Sequence, residues 1–128
     1  MKKILLIMSV LTTGTLAAQT PPARKVLLQQ ALPGISVETV KMDEITFAPG
    51  QGAPVHHHPC EVYGYVVSGQ ILYQPAGEPA QLLHAGDSFR EAAGREISVF
   101  KNAQNDQPAT FIAVYLLRKD QPSIIINK

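Results

Sequence analysis

The sequence predicts an all-β domain, built as a sandwich or barrel and not as an open sheet. Three observations carry this reading. Beyond residue 34 the chain breaks into seven or eight short runs rich in Val, Ile, Tyr and Phe, at roughly ten-residue spacing and punctuated by Gly, Pro, Asn and Asp. No segment sustains the periodicity of an amphipathic helix. The run TFIAVYLL, Thr110 to Leu117, is apolar at almost every position, so a strand there is expected to bury both faces.

The elements follow in order. The opening MKKILLIMSVLTTGTLAAQT sets two lysines before an apolar stretch and ends in small residues, the pattern of a secretory signal peptide over residues 1–18. The Thr12-Thr13-Gly14-Thr15 interruption leaves fewer than the roughly 20 apolar residues a membrane span needs, so no stable membrane anchor is expected. The expected location is periplasmic or secreted. Residues 19–34 form an N-terminal segment in which Pro21, Pro22 and Pro33 bracket RKVLLQQAL, suited to a short helical turn or an edge segment. Residues 35–128 form the β-domain. SVETVKMDEITF is its first strand, APGQGAP a loop and VHHH a short strand. VYGYVV and QILYQ are strands flanking Ser68-Gly69, and PAGEPA is a turn. QLLHAGDSFR, REISVFKN and TFIAVYLLR follow, separated by EAAG and AQNDQP.

At 128 residues, with 45% hydrophobic and 16% charged, the chain is ordinary for one globular domain. The formal net charge is +1, and without Lys2 and Lys3 nine basic residues face ten acidic ones. No basic tract is present, which excludes the electrostatic footprint of a nucleic-acid binder. The lone Cys60 has no partner for a disulfide within the chain.

Residues 55–69 read VHHHPCEVYGYVVSG and hold three of the four histidines. Side chains two apart on a strand share a face, so His56 and His58 project together and His57 opposes them. Separated by roughly 6 to 7 Å along the backbone, two such imidazoles can both reach a metal ion at about 2.0 to 2.1 Å. Gly50 lies before this pair, Pro59 follows it directly, and the next strand ends at Gly69. The pattern resembles the first motif of the cupin superfamily, G-x5-H-x-H-x3,4-E-x6-G. LLHAGDSFREAAGREISVFKN is similar to the second, G-x5-P-x-G-x2-H-x3-N, with Gly86 and Gly94 in its glycine columns. The resemblance implies a small antiparallel jelly-roll β-barrel whose mouth holds a divalent metal in many members.

The departures are specific. Val62 occupies the glutamate column, with Glu61 one position early. Ala92 replaces the proline, Ile97 stands in the last histidine column, and Lys101 stands where the asparagine would be, beside Asn102. The metal set read from the chain is therefore His56, His58 and Glu61, the last recruited by a bulge at Pro59-Cys60. Whether Glu61, Cys60 or Glu91 completes the site stays open. His84, beside a turn glycine, reads as a surface histidine, and Asp87, Ser88 and Arg90 as turn and solvent groups. Tyr63, Tyr65 and Tyr73 are expected on a common surface of two adjacent strands, lining core or pocket.

Two functions from different classes follow. One is a metal-dependent enzyme acting on a small molecule, in which Fe, Mn, Zn or Ni held by two histidines and a carboxylate keeps open coordination positions. The other is a non-catalytic module of the cell envelope that binds a small molecule or a metal. A homodimer joined through sheet edges is a further expectation.

Overall fold

A computed structural model describes Gly14 and residues 16–128; residues 1–13 and 15, which carry most of the predicted signal peptide, lie outside the described residues. The strands are β1 (Thr39–Phe47), β2 (Gly52–Ala53), β3 (His56–His57), β4 (Glu61–Ser68), β5 (Gln70–Pro75), β6 (Gln81–His84), β7 (Ser88–Glu91), β8 (Glu96–Asn102), β9 (Ala109–Leu117) and β10 (Ile125–Ile126). No helix occurs among the described residues, and hence none long enough to cross a membrane.

Two antiparallel sheets face each other. One has the order β1-β9-β4-β7; the other has β10-β3-β8-β5-β6, with β2 also paired to β8. The chain changes sheet at every connection except β2 to β3 and β5 to β6, which makes the fold a jelly roll. Its two sheets are not joined by ladders into a closed barrel, so the barrel of the sequence reading is an open double sheet. The run QLLHAGDSFR splits accordingly at Ala85-Gly86-Asp87 into β6 and β7.

The space between the sheets is filled by alternate side chains. On β9 the inward row is Ala109, Phe111, Ala113, Tyr115 and Leu117, all buried. The expectation that both faces of this strand are buried holds only inward. Ile112, Val114 and Leu116 are half-buried on the outer face, beside Val40 and Met42 of β1, which are exposed. The central position of β9 between β1 and β4 accounts for its apolar outer row, since neighbouring strands cover its flanks. Inside, Phe47, Phe89, Phe100 and Phe111 pack in tilted and edge-to-face pairs, the closest being Phe100 and Phe111 at 5.0 Å between ring centroids.

Two glycines make this packing possible. At Gly64 a Cβ would sit 1.9 Å from Cζ of Phe89, its partner across β4 and β7, so the missing side chain is the space the ring occupies. Gly69 turns the corner between the sheets with φ of +76°, and a Cβ there would meet the Pro108 carbonyl at 2.7 Å.

The tyrosines do not share one surface. Strands β4 and β5 lie in different sheets, so Tyr63 and Tyr65 face outward while Tyr73 is buried against Phe89 and Phe100 and donates to the Arg90 carbonyl at 2.8 Å. The segment around RKVLLQQAL is neither helix nor strand. It lies over the outer face of β4 and β7, where the Ser88 hydroxyl donates to the Leu27 carbonyl at 2.9 Å.

Candidate metal centre

Strand parity places the histidine run as the sequence indicates. His56 and His58 are buried between the sheets with ring centroids 5.0 Å apart, while His57 points the other way, its Nδ1 2.7 Å from Asn127 Oδ1. His84 is exposed, near Asp87 at the β6 to β7 turn.

The carboxylate that meets the histidines is Glu91. Its Oε2 lies 2.6 Å from His58 Nε2 and 3.9 Å from His56 Nε2, and donor atoms from all three residues fall within 4.8 Å of one another. The register explains the arrangement. Glu91 on β7 is the direct partner of Val62 on β4, so the carboxylate occupies the inner face one strand sideways from the glutamate column that Val62 fills. His56 is likewise the partner of Ile97, the apolar occupant of the last histidine column.

Glu61 is not part of this cluster, which corrects the placement expected from the sequence. It shares strand parity with the outward Tyr63 and Tyr65 and turns its carboxylate away from the histidines. There it accepts from Arg90 Nε at 2.7 Å, Arg90 Nη2 at 3.0 Å, the Ala93 amide at 3.1 Å and the Tyr63 hydroxyl at 3.3 Å. No bulge at Pro59-Cys60 brings it inward. Burial pushes the Glu61 pKa up, but Arg90, the Ala93 N–H and Tyr63 outweigh this and hold it below the usual carboxylate value. Cys60 is buried, and burial raises its thiol pKa, so it does not offer a ready thiolate. The signal for choosing Glu91 lay in the chain: in SFRE the apolar Phe89 marks the inward face, and Glu91 shares it. The same rule, applied through Val62 and Val66, turns Glu61 outward.

The tautomers of both inward histidines are set by backbone oxygens. His56 Nδ1 donates to the Pro54 carbonyl at 2.7 Å, and His58 Nδ1 donates to the Ser123 carbonyl. A carbonyl can only accept, so each Nδ1 carries hydrogen and each Nε2 is the atom turned toward Glu91, donating to the carboxylate while the site is metal-free and freed to coordinate once a metal displaces that proton. The Ser123 carbonyl comes from the C-terminal strap, which runs past β3 and pairs with it through β10, Ile125 opposite His57 and Ile126 opposite His56. Asn127 Nδ2 also donates to Glu96 Oε2 at 2.8 Å, and Gln121 Nε2 to the Pro59 carbonyl at 2.7 Å. Sequence reasoning missed this strap, because backbone carbonyls carry no residue signature.

Burial lowers the His56 pKa, but the facing Glu91 carboxylate and the Pro54 carbonyl outweigh it, leaving a net rise. Burial raises that of Glu91, and the two imidazoles outweigh it in turn, so it stays ionised. The donor set fits a divalent transition ion. Ligand atoms each about 2.1 Å from one ion stand roughly 3.0 to 3.4 Å apart in octahedral or tetrahedral geometry. The separations of 2.6 and 3.9 Å bracket that range. The three donors open onto a cavity of about 180 Å³ whose wall is otherwise Ile45, Phe47, Ala53, Val62, Phe89, Phe100, Phe111, Ala113, Tyr115 and Ile124. Burial, with the charges of Asp43 and Glu91, pushes the Tyr115 phenol up to about 12, so it is neutral.

The cupin domain profile matches residues 43–115, more than half of the chain. The chain belongs to the cupin family. No curated protein matches it. Among solved structures this cupin is similar to an oxalate oxidase in complex with the substrate analogue glycolate, at 24% identity and a TM-score of 0.59 over 68% of this chain and 45% of that one. It is similar to the DMSP lyase DddQ from Ruegeria pomeroyi at 17% identity and a TM-score of 0.59, over 69% of this chain and 43% of that one. A conserved Klebsiella pneumoniae protein with a double-stranded β-helix domain gives 21% identity and a TM-score of 0.59, over 70% and 75% of the two chains. The cupin thus spans less than half the length of the oxidase and the lyase, and these likenesses establish the fold alone.

Proposed function

We propose that this cupin holds a divalent transition metal, Fe, Mn, Zn or Ni, through His56 Nε2, His58 Nε2 and the Glu91 carboxylate, and is an enzyme acting on a small molecule in the adjoining cavity. The observation that carries this reading is that, among the described residues, only three donors meet at one side of a cavity. A purely structural site is closed by a fourth protein ligand, whereas a catalytic one keeps positions for water or substrate. The bound ion would supply Lewis-acid or redox chemistry at those positions.

The remaining work falls to the chain. The Pro54 and Ser123 carbonyls hold both imidazoles in the coordinating tautomer. Glu91 contributes the one negative charge of the set, and the largely apolar, aromatic walls lower the local polarity, which strengthens the electrostatic contacts at the donors. The names of two structural neighbours, an oxidase and a lyase, accord with an enzyme.

Export to the periplasm or beyond belongs to the same proposal and rests on the leader pattern of residues 1–18. So does a homodimer, supported by the outer edge of β1, which no strand among the described residues pairs, and by the exposed Val40 and Met42. Elemental analysis of the exported protein, purified without a polyhistidine tag, tests the metal, and turnover assays on the metal-loaded form separate an enzyme from a binding module. Near-stoichiometric metal that is lost in His56→Ala supports the reading. Metal-free protein that takes up no divalent ion on titration refutes it.

A further inference from the structure

The cavity wall specifies the charge and size of what the centre accepts. Among the residues lining it, the only polar side chains are His56, His58, Glu91 and Tyr115; no lysine, arginine, amide or aliphatic hydroxyl is present. Outside the lining, Lys41 Nζ sits 5.1 Å from the centroid of the Tyr115 ring, but it is held by Asp43 Oδ2 at 2.6 Å and the pair adds no net charge. Arg90 is committed to Glu61 on the opposite face of the sheet.

Resting on the metal reading above, we propose that the centre binds a small, largely apolar molecule, no larger than about one benzene ring, which meets the metal as a monoanionic oxygen donor such as an enolate or phenolate. Two neutral imidazoles, one carboxylate and a divalent ion leave a net charge of +1 in the cavity. A monoanion brings that to zero. A dianion leaves an uncompensated negative charge against aromatic walls that offer no cation and only the neutral Tyr115 hydroxyl as a donor, and such burial is strongly unfavourable. A polar neutral ligand loses its hydrogen bonds to water and regains none from Ile45, Phe47, Phe89, Phe100 or Phe111.

Size follows from volume. A cavity of about 150 Å³ takes a benzene molecule, and a water claims roughly 30 Å³. The 180 Å³ available here admits a ring of that size beside the ion and little more.

The test uses the tag-free chain loaded with cobalt(II), whose visible bands report changes in coordination without any turnover. Acetylacetone and malonate are matched probes. Both close the same six-membered chelate ring, but acetylacetone binds as an apolar monoanion after its proton passes to buffer, and malonate as a dianion. Acetylacetone should perturb the bands saturably and bind at least tenfold tighter than malonate, and phenol should perturb them too, whereas the bulkier dibenzoylmethane should not. Ile124→Lys, which sets a cation at the partly exposed rim of the cavity, should narrow the preference against malonate. If no protein-bound cobalt bands form, the metal reading fails. If the bands form but malonate binds as tightly as acetylacetone, dibenzoylmethane binds as well as either, or no probe shifts them, the metal reading stands and the substrate class is overturned.

Discussion

Exchanging each carboxylate for its amide should separate two glutamates that the chain brings to neighbouring strands. Glu91→Gln removes the single anionic donor of the metal set, while Glu61→Gln alters a group that faces the other side of the sheet. Loss of a partner that merely orients a ligand costs about 10- to 100-fold in metal affinity, so loss of a direct donor should cost at least about 100-fold, or roughly 2.7 kcal/mol. Glu61→Gln should leave affinity within about twofold. It should instead lower stability, because the amide cannot accept the paired donors of Arg90 and the Ala93 amide as an anion does. Charge-assisted hydrogen bonds contribute about 1.5 to 3 kcal/mol, and Arg90, whose side chain is 31% exposed, recovers part of that from water. A loss of roughly 1 to 2 kcal/mol is expected, about 4 to 10 °C in Tm for a domain of this size. Competition with a chromophoric chelator gives the affinities, and thermal unfolding of the metal-free proteins gives the stabilities. If Glu61→Gln weakened metal binding as much as Glu91→Gln, the assignment of the third donor would be refuted.

The same pair predicts a pH dependence: the folded pKa of Glu61 is depressed below its ordinary value of 4.5, so its stabilisation is fully present above that value and lost as pH falls through the folded one. The stability gap between wild type and Glu61→Gln should be flat near neutrality and shrink in acid; a gap that widened below pH 4.5 would contradict the sign. Gly64→Ala should destabilise by about 1 to 3 kcal/mol, because its Cβ displaces the Phe89 ring, and Phe89→Leu in that background should recover part of the loss in denaturant titrations. Unchanged stability in the single variant would mean that the ring moves freely. Ending the chain after Lys119 removes the Ser123 carbonyl and β10, and should weaken metal binding about 10- to 100-fold while circular dichroism keeps its β signature. Full affinity in that variant would show that the His58 tautomer is held by something else.

The all-β class, the positions of the longer strands and the opposed fates of His56 and His58 against His57 are written locally. A period of two assigns each side chain to a face from its immediate neighbours, and the apolar marks Phe89, Val62 and Val66 carry that assignment to Glu91 and Glu61 as well. Parity says nothing about which strand lies beside which. That β4 and β5 part into different sheets, sending Tyr63 and Tyr65 outward and Tyr73 into the core, is settled at Gly69 by the way the sheets pack. That Glu91 stands next to Val62, and so supplies a carboxylate where the family column has none, depends on the register of β4 against β7, strands joined through two intervening ones. That a C-terminal carbonyl orients His58 across 65 positions of chain depends on closure of the whole fold. These are long-range pairings between backbone groups common to every residue, and only the packed core, filled once by its phenylalanines, selects among them.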